Sequence, residues 1–237
     1  MFYDIEKLMQ ENNDKMVNIK INRKDILVNC VFPLHIMNIS HEVFFHEKED
    51  HYVPQGTVDF YGYFGDYDNK IHIDIVFNPN DTEYYWNFPL WAYIRSIYID
   101  TLCHEFMHLN QYEKRLLNGI TTTQRNPSFK EFKSIEQDDE FENGLYLIKP
   151  DEVEAHAYNF ASQLFRRYRN IEESLEALRK CDFDNIEIYD FYSKYIKKNS
   201  YIFKRLLKKT TWYLIHKYDE NNYINSECNE DVVENKE

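Results

Sequence analysis

The sequence is poor in small residues. Its 237 residues include five glycines and five alanines, so a place where several small residues cluster marks a close approach of chain to chain. Cysteine is also scarce: Cys30, Cys103, Cys181 and Cys228 show neither a CxxC pair nor framework spacing, which excludes a disulfide scaffold and fits reduced cytosolic thiols. No apolar run approaches the roughly 20 residues of a spanning helix, and the start lacks the basic-then-apolar layout of a signal peptide. Cytoplasmic residence and no membrane are the corresponding expectations. Base is in deficit, since Lys+Arg minus Asp+Glu is 28 − 41 = −13, which argues against a nucleic-acid coat or an anionic-membrane binder.

A hydrophobic fraction of 43% and a charged fraction of 29% exclude a wholly disordered chain. The pattern predicts a short helix over residues 2–12 and strands at Val17–Ile21 and Ile26–Phe32, then a turn-rich region through Gly56. Period-two alternation marks two more strands, Thr57–Phe64 and Lys70–Phe77, joined by a hairpin-length loop of turn residues. From about Leu90 the pattern is helical: one long helix over 90–118 stopped by Gly119, an extended acidic loop over 120–149, and helices near 150–170, 171–181, 185–198 and 200–217. The expectation is an α+β fold, a small antiparallel sheet preceding a helical majority. It is read as one domain over 1–218, with residues 219–237, seven acids and one lysine, as a disordered acidic tail.

In the middle of the long helix stands His104-Glu-Phe-Met-His108, a pattern expected by chance about 0.03 times in a chain of this composition. Residues four apart share a helical face, so both imidazoles can reach one metal ion. Glu105 lies beside the first histidine, where a carboxylate can touch a metal-bound water without ligating the metal. His41 and His46 are five apart, on different faces of a helix, and make no equivalent pair. Downstream, Lys149-Pro-Asp-Glu-Val-Glu-Ala-His-Ala opens a second helix. Asp151 and Glu154 have capping-box spacing there, and Ala155, Ala157 and Ala161 form a small-residue face that would bring Glu154 to the metal.

HExxH on one helix and Glu-x-x-Ala-x-x-Phe-Ala on a later one resemble the zincin metallopeptidases of the glutamate-ligand type. The segment is similar above all to compact intracellular and phage-type members with Pro-x-Glu-x-Glu-Ala. The resemblance covers about residues 57–165, with 171–217 as appended helices. It implies Zn²⁺, with His104, His108 and Glu154 as ligands, Glu105 as general base, and Glu152 competing with Glu154. It further implies that an edge strand pairs with an extended peptide or protein substrate, for which Ile71–Phe77 is the candidate. An oxyanion stabiliser is expected among Tyr112, Tyr146, His156 and Tyr158, with Tyr158 on the Glu154 face. Asp100 and Gln111 stand four before His104 and three after His108, where either can orient an imidazole from behind.

Cys103 is expected as a small core filler. Between Lys194 and Lys217 there are eight Lys/Arg and no acid, interleaved with aromatics; this is either a solvated face, neutralised by the acidic tail, or a docking face for an acidic partner or nucleic acid. The segment 120–149 is a candidate lid over the cleft. Two functional expectations stand: a zinc peptidase acting through Glu105, and a zincin-fold metal-binding regulatory or interaction protein with little turnover.

Overall fold

The computed structural model describes residues 20–22, 39–45, 53–65, 67–68, 70–121, 126–135, 141–183 and 186–217. Among them the strands come first: β1 (Lys20–Asn22), β2 (Ile39–Phe45), β3 (Val58–Gly65), β4 (Lys70–Phe77) and β5 (Glu83–Tyr85). The helices follow: α1 (Phe88–Leu117), α2 (Phe129–Phe132), α3 (Phe141–Leu147), α4 (Pro150–Tyr168), α5 (Ile171–Lys180), α6 (Glu187–Tyr195) and α7 (Tyr201–Lys217). Strands then helices make an α+β chain, as the patterning predicts. The chain divides into two compact units, residues 1–123 and 124–237. The helix expected over 2–12, the strand at Ile26–Phe32 and the tail at 219–237 lie outside the described residues.

The first unit is built on a three-stranded sheet in the order β2-β4-β3. β3 and β4 form the expected antiparallel hairpin, with Val58 opposite Phe77 and Gly65 opposite Lys70. β2 lies in the region read as turns, and it runs parallel to β4, Ile39 opposite Ile71 through Phe45 opposite Phe77. Ile71–Phe77 is therefore the central strand and not an edge, which corrects the expectation that it pairs with substrate. Its alternation suggests one wet face, yet His72 is buried: Tyr63 stacks on it at 4.7 Å and Asp68 bonds its Nε2 at 2.9 Å. A second pairing joins β1 antiparallel to β5, with Lys20 and Glu83 ion-paired across it.

α1 is bounded by its own sequence. Asn87 Oδ1 accepts the Leu90 N–H at 3.0 Å and Pro89 occupies the first turn. At the other end Gly119 takes φ +70°, which frees its own N–H to reach Leu116 O and the Ile120 N–H to reach Arg115 O, both at 2.9 Å. Aromatics pin the helix to β3, where Phe60 meets Tyr98 edge-on at 5.3 Å and Phe64 meets Tyr112 at 5.4 Å, and to the segment after β5, where Trp86 stacks on Trp91 at 5.6 Å. Burial pushes the Tyr98 hydroxyl well above the ordinary phenol range.

In the second unit α4 packs on α5, α6 and α7. Its N-cap is Lys149 with no side-chain cap, because Pro150 at the first helical position already lacks the donor a cap would satisfy. Asp151 is thus inside the helix, and the predicted Asp151–Glu154 capping box does not form. A capping box is found instead at α2, where the Glu131 carboxylate accepts the Ser128 N–H. That same carboxylate takes Arg205 Nη1 at 3.2 Å, tying α2 to α7. α2 and α3 occupy part of the stretch read as extended loop.

Scarce glycine has a visible cost and a visible use. The helix-ending residues Arg169 and Cys181 adopt left-handed φ of 56° and 55°, a conformation that favours glycine. Gly144 sits inside α3, where a Cβ would meet Ile135 Cγ2 at 2.5 Å. Arg169→Gly should raise stability by about 0.5–1 kcal/mol, while Gly144→Ala should lower it by about 1–2 kcal/mol despite alanine's helix propensity. Urea unfolding followed by far-UV circular dichroism checks both signs.

Candidate metal centre

The helical repeat sorts the residues of α1. His104, His108 and Gln111 recur every three or four residues along one stripe, and they are 8, 9 and 8% exposed. The two imidazoles approach with their Nε2 atoms 3.1 Å apart. On the far side of the second ring, His108 Nδ1–H donates to Gln111 Oε1 at 3.1 Å. That bond fixes the tautomer and leaves the Nε2 lone pair pointing toward His104. Gln111 thus has the orienting position expected of it; Asp100, one turn before His104, is half-buried.

Glu105 points about 100° around the helix from His104. It is 5% exposed and lies against β3 at Gly62, where an added Cβ would meet Glu105 Cγ at 2.6 Å and Thr101 Cγ2 at 2.8 Å. Glycine is what allows the strand to pass this carboxylate. Leu102, Cys103 and Phe106 complete the buried surround, and Cys103 is a thiol outside any disulfide, packed in the core as expected.

In the second unit α4 has two chemically distinct faces. Glu154 and Tyr158, one turn apart, both turn to α7. Glu154 Oε1 takes Lys209 Nζ at 3.0 Å and the Tyr213 hydroxyl at 3.3 Å, and the Tyr158 ring meets Tyr213 edge-on at 5.3 Å. Burial first, and the Glu154 carboxylate second, push the Tyr213 hydroxyl far above its usual range, so it remains a donor. The other face carries Glu152 and His156, 1% and 7% exposed. They too are one turn apart, with a carboxylate oxygen and a ring nitrogen within 4.8 Å. Tyr146, Phe191 and Tyr192 surround the His156 ring edge-on at 5.9, 6.1 and 5.5 Å. Burial, and next the Glu152 carboxylate, raise the Tyr192 hydroxyl; it donates to Leu147 O at 3.3 Å.

Buried groups able to ligate a metal ion are thus present in both units: His104 in the first, Glu152 and His156 in the second. Sequence reasoning had His156 only as an oxyanion candidate. The signal was available, because Glu152 and His156 repeat the four-residue spacing of the HExxH histidines. Gly62 went unnoticed for want of any local signal linking it to residue 105.

No family model matches the chain, and no curated protein or solved structure matches it significantly. Among the described residues no helix is long and apolar enough to cross a membrane.

Gly62→Ala should destabilise the protein by about 1–3 kcal/mol, since helix and strand must separate or Glu105 must change rotamer. Urea unfolding monitored by tryptophan fluorescence measures it; an unchanged midpoint would show that the strand does not need glycine there.

Proposed function

We propose that this chain is a zinc-dependent peptidase, cleaving peptide bonds with water that Glu105 deprotonates. The observation that carries the reading is the convergence of His104 and His108. Their nitrogens stand 3.1 Å apart, against roughly 3.3 Å expected for two nitrogens on one tetrahedral zinc. The donor set fits that ion: two imidazoles from one helical face, one of them held in its tautomer by Gln111.

The third ligand in this reading is a carboxylate of α4. Glu152 is fully buried and shares its helix face with His156, a second group able to ligate a metal. Glu152 is therefore preferred, with Glu154 the competitor and His156 a further candidate. When bound, the metal supplies a Lewis acid and acidifies its water. Glu105 takes the proton of the attacking water and returns it to the leaving amine. The substrate would be an extended peptide lying along an edge strand. Among the described residues β2 and β3 are the edges of the larger sheet, and β3 is the one against Glu105. The proposed setting is cytosolic.

A metal-binding regulatory protein with little turnover is the second reading. The packing of Tyr158 on Tyr213 favours it, because that contact engages the residue expected to stabilise the oxyanion.

Elemental analysis of protein purified without a tag or chelator should find about one zinc per chain. Glu152→Ala should lose it and Glu154→Ala should keep it; the reverse would restore Glu154 as ligand. Gln111→Leu should weaken zinc binding by about 10–100-fold. Glu105→Gln should keep zinc but abolish cleavage of a peptide library. Absence of zinc after reconstitution removes both readings, and cleavage that survives Glu105→Gln removes the mechanism.

A further inference from the structure

Helix α7 uses its cations in two ways. Arg205 and Lys209 turn inward, onto Glu131 and Glu154. Lys204 and Lys208 are exposed, and among the described residues no carboxylate pairs with either. Large apolar side chains bracket the pair, Tyr201 on one side and Trp212 and Ile215 on the other, 43, 45 and 48% exposed. Positions 201, 204, 208, 212 and 215 are three or four apart, so the five side chains form one stripe about 21 Å long. Lys130 of α2 extends it, with Nζ 4.0 Å from the centre of the Tyr201 ring. Trp212 is held in place by stacking on His216 at 4.7 Å and 13°. Two adjacent exposed lysines bracketed by aromatics, one of them pre-set by its own stacking partner, have the anatomy of a recognition face.

We propose that this stripe docks an acidic, amphipathic peptide segment of a partner protein. Two carboxylates one helical turn apart meet Lys204 and Lys208, and apolar side chains cover Trp212, Ile215 and Tyr201. Charge complementarity selects this occupant. Nucleic acid and anionic bilayers are extended polyanions, and a chain of net charge −13 repels them at long range. A short segment needs only two carboxylates, and the apolar contacts supply the rest.

The experiment uses the full chain and a fluorescein-labelled synthetic peptide of about 16 residues, enough to span the stripe as a helix. The peptide carries Glu at every fourth position beside a Leu/Phe face, and a control replaces Glu with Gln. Anisotropy should report binding that falls at least about tenfold with Lys204→Glu/Lys208→Glu, and similarly with Trp212→Ala. Tryptophan emission gives a second readout, because Trp86 and Trp91 are fully buried and quenching by acrylamide reports Trp212. Bound peptide should shield it. All three variant positions are exposed, and unchanged circular dichroism confirms folding. The proposal is overturned by no binding, by equal binding of the Gln control, or by indifference to the lysine variants. Preferential binding of an oligonucleotide or of phosphatidylserine vesicles would also overturn it, and would make the stripe a polyanion site.

Discussion

The approach of β3 to α1 at Gly62 governs the first unit. Along this strand Phe60, Gly62 and Phe64 face the helix, and they meet Tyr98, Glu105 with Thr101, and Tyr112 in turn. Large rings grip at both ends and the missing side chain leaves room at the centre. A buried carboxylate therefore sits in the helix–strand seam, and the stripe bearing His104 and His108 lies beside it, about 60–100° around the helix. Any residue with a Cβ at position 62 would press on the Glu105 and Thr101 side chains that fill this seam.

How much of this was legible in the sequence depends on how local each signal is. α1 announced itself through its stop at Gly119, and the β3–β4 hairpin through alternation and its polar loop. HExxH was readable because its meaning rests on spacing within one helix. β2 was missed because a parallel strand carries no hairpin signal of its own, and β5 because three residues are too few for periodicity. The centrality of β4 was hidden by His72, whose burial depends on Tyr63, Tyr67 and Asp68 closing over it. The ends of α4 and α5 at Arg169 and Cys181 had no glycine to mark them.

α4 shows the limit of the same logic for chemistry. Spacing placed Glu154 with Tyr158 and separated both from His156, and the structure agrees. What spacing could not tell is which face meets which neighbour. Lys209 and Tyr213 lie more than fifty residues downstream, and they engage the carboxylate that the motif singled out. The Glu152–His156 face has the same periodicity and no motif to advertise it.

The strand pairings of the first unit also imply an order of assembly. The β3–β4 hairpin closes a short loop, so it can form before anything distant has been found. β1 pairs with β5 across about sixty residues of intervening chain, a closure whose entropy is recovered only once the elements between them are in place. The hairpin that carries Gly62 is thus the natural seed of the unit, and the β1–β5 ribbon its clasp, the last pairing made and the first to let go.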